Sequence, residues 1–367
     1  MKKIMYFAFI CLMFVTTCLS VSAISDIKNE LSDRLFSGMD EEITERLSDF
    51  GIASLDSESI FNVSLKSIFS YFKKGLSDYL DNCMSLFTKV LGIIISGGAV
   101  SLIVNEKKYK SILNSLLVPV VTLILVEEIN LCISSALSLL KVNGNFMLTF
   151  VPVYAISIAV SGNPATAVTY NTLVMGLAQA LSAVINYGFV DLIGCFFCLA
   201  IAFSVNDNIN YTRFFGAINR FITFILGLIS TTFASVLSVK GIFSAATDSV
   251  AAKSIRFAIG SLIPVIGSSI SESYSTLVGS IGILKNSVAV LGLIAIVLIN
   301  LPVITEIAIF NILLNVLSFI SEILDCKEVS DLLHAFAGGV KIIGLLIIFE
   351  AFILIVSTAL MLSLKGG

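Results

Sequence analysis

From Leu86 to Leu364 the chain is a succession of apolar runs, broken only by isolated charges, prolines and short polar turns. This patterning leaves little choice of fold. In hydrocarbon the backbone must satisfy its own N–H and C=O groups, so an apolar run of about 18 to 20 residues is a spanning helix. The chain is 367 residues long, 57% hydrophobic and 13% charged, with a mean hydropathy of +1.02. These values exclude a soluble globule and define a polytopic α-helical integral membrane protein. Trp is absent, so Tyr and Phe must supply any interfacial aromatic belt.

The first residues, 1–23, read as a secretory signal peptide. Lys2 and Lys3 precede the apolar core Ile4–Val15, and Val21-Ser22-Ala23 supplies small residues for cleavage after Ala23. A retained first span is the alternative. Residues 24–85 are the soluble-looking part of the chain, rich in charge and with apolar positions at helical spacing. They predict a small amphipathic helical segment outside the cytoplasm. Residues 86–239 form an N-terminal transmembrane bundle. Its expected spans are Leu86–Val104, Ile112–Leu125, Phe146–Val160, Ala167–Ile185, Phe189–Val205 and Phe214–Val239. Lys107, Lys108 and Lys110 follow the first span and place that turn in the cytoplasm. Residues 287–367 add Val288–Leu301, Val303–Leu324 and Val340–Leu364. Pro302 separates two of these, as a broken helix or a tight hairpin. The expected total is about eight spans.

Between the two bundles lies the stretch 240–286, which is not a simple span. Lys240, Asp248, Lys253, Arg256, Glu272 and Lys285 interrupt it, and Ser and Gly fill the gaps. Ile255, Ile259, Leu262, Ile263 and Ile266 recur at helical spacing, and Pro264 kinks or ends a helix. The pattern fits helices that lie on the membrane, re-enter it or pack inside a bundle. A polar loop is the plainer alternative.

Reactive chemistry is sparse. GxxxxGK[ST], HExxH and GxSxG are absent, and His334 is the only histidine. No catalytic residue, cofactor or metal site is expected, and no basic block suggests nucleic acid. Cys195-Phe-Phe-Cys198 has CxxC spacing in apolar flanks, which predicts buried small hydrophobes rather than a redox or zinc pair. Two carboxylates fall within apolar segments, Asp191 and Glu350. Each costs about 2.5 kcal/mol or more at the bilayer centre unless paired or hydrated. They could relay ions or protons, or lock helices by pairing with Arg220, Lys285 or Lys341. Ser161-Gly162-Asn163-Pro164 and Pro302 interrupt helices as transporter sites do.

Several elements occur in order: Lys240-Gly241, Asp248, Lys253 with Arg256-Phe257, Ile263-Pro264-Val265-Ile266-Gly267, Ser275 to Gly279, and Leu284-Lys285-Asn286. Upstream stand Ser161-Gly162-Asn163 and Thr166. This set resembles the stage III sporulation protein AE family of endospore-forming Firmicutes, from about Leu86 to the end. One departure is that the family pattern has Gly after the Lys-Asn element, and here Ala289 and Val290 precede Gly292. The resemblance implies a non-enzymatic membrane component of the sporulation channel complex that links mother cell and forespore. It implies a multi-pass protein of the cell membrane, seated in the mother-cell-derived outer forespore membrane. The implied partners are an ATPase-like subunit, ring-forming subunits and a membrane insertase of the YidC type, together with the lipid bilayer. Homo-oligomerisation is left open. The family supplies no catalytic residues, so the residues of interest are pore-lining or docking positions: Lys240, Gly241, Asp248, Lys253, Arg256, Pro264, Gly267, Lys285, Asn286, Gly162 and Asn163. An independent secondary transporter using Asp191 and Glu350 is the competing reading.

Overall fold

The computed structural model describes residues 25–363, apart from 64, 104–106, 185–187, 189, 205–210 and 263–266. The expected cleavage after Ala23, Pro264 and the turn residues Asn186 and Tyr187 lie outside the described residues. The described chain is helical throughout. A small N-terminal unit comprises α1 (25–38), α2 (Glu41–Asp49) and α3 (Ser57–Phe61). The bundle comprises α4 (Leu65–Ile103), α5 (Lys107–Val160), α6 (Pro164–Val184), α7 (Val190–Ser204), α8 (Tyr211–Leu262), α9 (Gly267–Ile323) and α10 (Lys327–Ser363).

The N-terminal unit folds because its amphipathic helices close on one another and on the bundle. Leu31, Leu35, Met39, Ile43, Leu47, Ile52, Leu55 and Ile60 are all buried in the common core. Asp56 caps α3 by accepting from the Ser59 amide at 3.4 Å. The unit rests against α9, and Thr149 of α5 donates to the Gly38 carbonyl at 2.8 Å. The boundary expected near residue 85 falls inside α4, which runs on without a break.

Among the described residues five helices are long and apolar enough to cross a membrane: the segments Cys83–Ser101, Leu116–Val160, Phe214–Ala258, Val278–Ile323 and Lys327–Ser363. The expectation was about eight, and the difference has three causes. Ile112–Leu125 and Phe146–Val160 are parts of one 54-residue helix, α5. The Asn143-Gly144 pair between them, a turn signal in sequence, does not interrupt α5, and Glu128 inside the helix accepts a hydrogen bond from the Tyr79 hydroxyl of α4 at 3.3 Å. Val288–Leu301 and Val303–Leu324 are likewise one helix, continuous through Pro302. Finally, neither α6 nor α7 is among the five, α7 being too short by itself, and the two run in the same direction. Going down this pair, the partners on α8 retreat steadily: Thr169 meets Ser244, Phe196 stacks on Phe215, and Phe203 meets Phe214. On α10, Leu181 packs with Phe349 and Ile353, and Phe197 then meets Phe336. The pair is therefore one interrupted helix antiparallel to both neighbours, not a hairpin.

The long helices exceed a single crossing. A 45-residue helix is about 68 Å long at 1.5 Å per residue, against a hydrocarbon core of about 30 Å. The fold places α10 at the centre, packed on α9, α8, α5, α7 and α6. Gly97 and Gly98 let α4 approach closely: a Cβ would stand 2.3 Å from Leu117 Cδ1 in one case and 2.9 Å from Leu324 Cβ in the other. The stretch 240–286 is not a separate layer. Its first part completes α8, its last part begins α9, and α8 and α9 pack against each other.

Candidate functional site

The turn between α5 and α6 is where the sequence motifs converge. Gly162 has φ +87°, and its N–H donates to Ala159 O at 3.0 Å. Asn163 N–H reaches back to Ile158 O at 3.2 Å. This is a Schellman ending, and the left-handed residue at its centre favours glycine. Pro164 then opens α6 at the first helical position, where a missing N–H costs nothing. The next free donors are the amides of Ala165 and Thr166. Both are taken by Asp248, which lies 83 and 82 residues away on α8: Ala165 N to Oδ1 at 2.9 Å and Thr166 N to Oδ2 at 2.9 Å. The Thr166 hydroxyl adds a third bond to Oδ2 at 2.8 Å. Asp248 is 3% exposed.

A carboxylate from one helix thus caps the N-terminus of another, where both the amides and the helix dipole favour negative charge. Leu237, Gly241, Ser244 and Asp248 repeat at helical spacing on α8, so one face serves this seam. The Thr169 and Ser244 hydroxyls, 2.6 Å apart, extend it by a turn. Val278 of α9 stands 3.3 Å from where a Cβ on Gly162 would lie. Gly162, Asn163 and Asp248 are therefore brought to one joint between α5, α6, α8 and α9, and Gly241 is buried two turns away on the same face of α8.

A second polar centre lies at mid-length of the bundle. Asn143 of α5 donates through Nδ2 to Asn300 Oδ1 at 2.9 Å and to Glu350 Oε2 at 3.2 Å. Asn300 of α9 returns a bond to Asn143 Oδ1 at 3.1 Å and donates to Ile296 O at 2.8 Å. All three residues are 2% exposed or less. Glu350 also lines a cavity of about 430 Å³ with Lys141, Asn145, Gln179 and Ser182. The partner of Glu350 is Asn143, not the Arg220, Lys285 or Lys341 that its charge suggested.

A third contact explains why α9 survives Pro302. Proline has no N–H, so the carbonyl four residues earlier, Leu298 O, has no helical donor. Arg46 of α2 supplies one, Nη1 to Leu298 O at 2.9 Å, while its other nitrogen pairs with Glu42. Arg46 and Glu42 line a cavity of about 230 Å³ with Pro302 and Glu306.

The remaining predicted positions are dispersed. Lys253 is exposed and Arg256 half-buried on α8; Gly267 opens α9; Lys285 is buried on α9 and Asn286 exposed. Asp191 is exposed in the first turn of α7, where it complements the helix dipole. Cys195 and Cys198 are free thiols, and both are exposed rather than buried. The physical reason is that Phe196 and Phe197 take the inward positions of α7 and leave the cysteines on the outer face. Among the described residues no group of three or more His, Cys, Asp or Glu could hold a metal ion. Sequence reasoning missed Arg46, Asn143 and Asn300. The proline spacing could have flagged the free Leu298 carbonyl, but nothing in the sequence pairs the two asparagines.

This architecture defines the class: a multi-pass helical membrane protein in which Asp248 and Thr166, among the motif residues, join one helix to another. Comparison with known proteins gives the family. The chain matches the family described as Stage III sporulation protein AE over residues 54–364. It is 23% identical over 231 residues to Stage III sporulation protein AE of Bacillus subtilis (strain 168), an alignment covering 62% of this chain and 57% of that protein. The matched region thus spans somewhat over half the length of this curated relative. No solved structure matches. The chain belongs to the stage III sporulation protein AE family, which ties it to stage III of sporulation.

Proposed function

We propose that the chain is a non-enzymatic platform subunit of the channel-like secretion apparatus that links mother cell and forespore, required for forespore development. The family match carries this reading. The Asp248 joint supports it, because residues that carry the family resemblance hold helices together rather than face a reacting group. Its seat is the mother-cell-derived outer forespore membrane. Its partners are the ATPase-like and ring-forming proteins of the same apparatus, with a YidC-type insertase serving its biogenesis. Segment 25–62 lies outside the cytoplasm. The basic start of α5 is read as cytoplasmic, whereas Thr149 of α5 bonds Gly38 and Ser135, Ser138 and Val142 share a cavity with Glu42 and Arg46, roughly 40 to 60 Å further along the helix axis. A clean deletion in the source organism should arrest forespores after engulfment; normal spores would overturn the proposal.

The second reading is a secondary transporter. The cavity that Glu350 lines with Lys141, Asn145 and Gln179 favours it. It requires gradient-driven flux through the purified protein in liposomes, and loss of that flux in Glu350→Gln.

A further inference from the structure

Arg220 and Lys341 did not find the carboxylate that their charge suggested. They line one cavity of about 440 Å³ instead, between α8, α9 and α10. Asn219, Asn311, Asn315 and His334 complete its polar wall, and no Asp or Glu is among its lining residues. Among the described residues neither cation forms an ion pair. Among the described residues the Arg220 guanidinium makes one hydrogen bond, from Nε to Gly216 O at 3.2 Å, and its two terminal nitrogens remain available. The Asn219 Oδ1 is buried without a donor. Gly338 creates the room for that amide, since a Cβ there would stand 2.7 Å from Asn219 Nδ2.

Position adds to chemistry. Arg220 is the last charge on α8 before the uncharged run 221–239, which is about 28 Å long as a helix. Lys341 is the last charge on α10 before the apolar run 342–349. Both cations therefore sit where an apolar segment begins, the depth at which lipid head groups lie. Basic pockets between membrane helices are suited to anionic head groups. A guanidinium and an ammonium would hold a phosphate, and the buried Asn219 acceptor calls for a hydroxyl beside it.

We propose that this cavity binds an anionic head group carrying both a phosphate and a hydroxyl, the chemistry of a glycerol phosphate. Phosphatidylglycerol would present it from the membrane, and a soluble glycerol phosphate from solution. The test uses the full chain purified in neutral detergent. Phosphatidylglycerol, phosphatidic acid or phosphatidylethanolamine is supplied in mixed micelles, and retained lipid is read by native mass spectrometry. The wild type should retain phosphatidylglycerol over phosphatidylethanolamine. Arg220→Gln and Lys341→Gln should each weaken that preference about fivefold, while Lys253→Gln, an exposed charge elsewhere on α8, should leave it intact. Asn219→Leu should remove the preference for phosphatidylglycerol over phosphatidic acid. Saturable competition by free glycerol phosphate would support the site with a soluble source; failure to compete would assign it to lipid. Equal retention of phosphatidylglycerol and phosphatidylethanolamine, or a preference unchanged in both cation variants, would overturn the proposal.

Discussion

Removing the Asp248 carboxylate should be the most damaging single change at the α6–α8 seam. Asp248→Ala strands the Ala165 and Thr166 amides and the Thr166 hydroxyl, because Pro164 offers α6 no alternative arrangement of its first turn. Each unsatisfied buried donor costs about 1–3 kcal/mol. Thr166 can turn its hydroxyl elsewhere, so the sum is about 3–5 kcal/mol, the size expected when one member of a buried charged pair is deleted. Asp248→Asn keeps an acceptor but loses the charge that favours the helix N-terminus, and should cost about 1–2 kcal/mol. The assay is thermal unfolding in detergent for wild type, Asp248→Ala, Asp248→Asn and Thr166→Val, with the Asp248→Ala/Thr166→Val double variant closing a cycle. Thr166→Val should add little once Asp248 is gone. Strict additivity of the two changes, or an Asp248→Ala protein as stable as wild type, would refute the capping argument.

Three other outcomes follow from the same structure. Arg46→Met should destabilise by about 1.5–3 kcal/mol in the native background but by much less in Pro302→Ala, where the new amide can itself serve Leu298 O; chemical unfolding of the four proteins measures the coupling. Gly162→Ala should cost about 1–2 kcal/mol from its left-handed backbone, with the Val278 contact adding to it, as thermal unfolding would register. In non-reducing conditions Cys195 and Cys198 should both react with a membrane-permeant maleimide; resistance to labelling that reduction relieves would mean that a disulfide joins them.

The apolar runs made the helical membrane class legible from sequence, because lipid leaves the backbone so few choices. The Ser161–Pro164 break was legible for the same kind of reason: a glycine and a proline in that order end one helix and start the next. Span number was not. Apolar runs on either side of Pro302 look like two elements until Arg46, some 250 residues away, is seen on the carbonyl that proline leaves free. The direction of α7 relative to α6 was equally hidden, since a short polar turn serves a hairpin or a collinear break alike. Asp248 stood out as a charge in the right family context, but its partner amides belong to the backbone and carry no side-chain signature. Asn143 and Asn300 were invisible because a hydrogen-bonded amide pair leaves no spacing rule between distant helices.

The claim that this is a platform subunit and not a self-sufficient transporter is tested most directly by its company in the cell. A tagged copy would be isolated in mild detergent from sporulating cells of the source organism, after engulfment, and its co-purifying proteins identified. The platform reading predicts the ATPase-like and ring-forming proteins in stable amounts, with their recovery reduced when Asp248→Ala loosens the joint. Recovery of the chain without them, together with Glu350-dependent solute flux in liposomes, would contradict it.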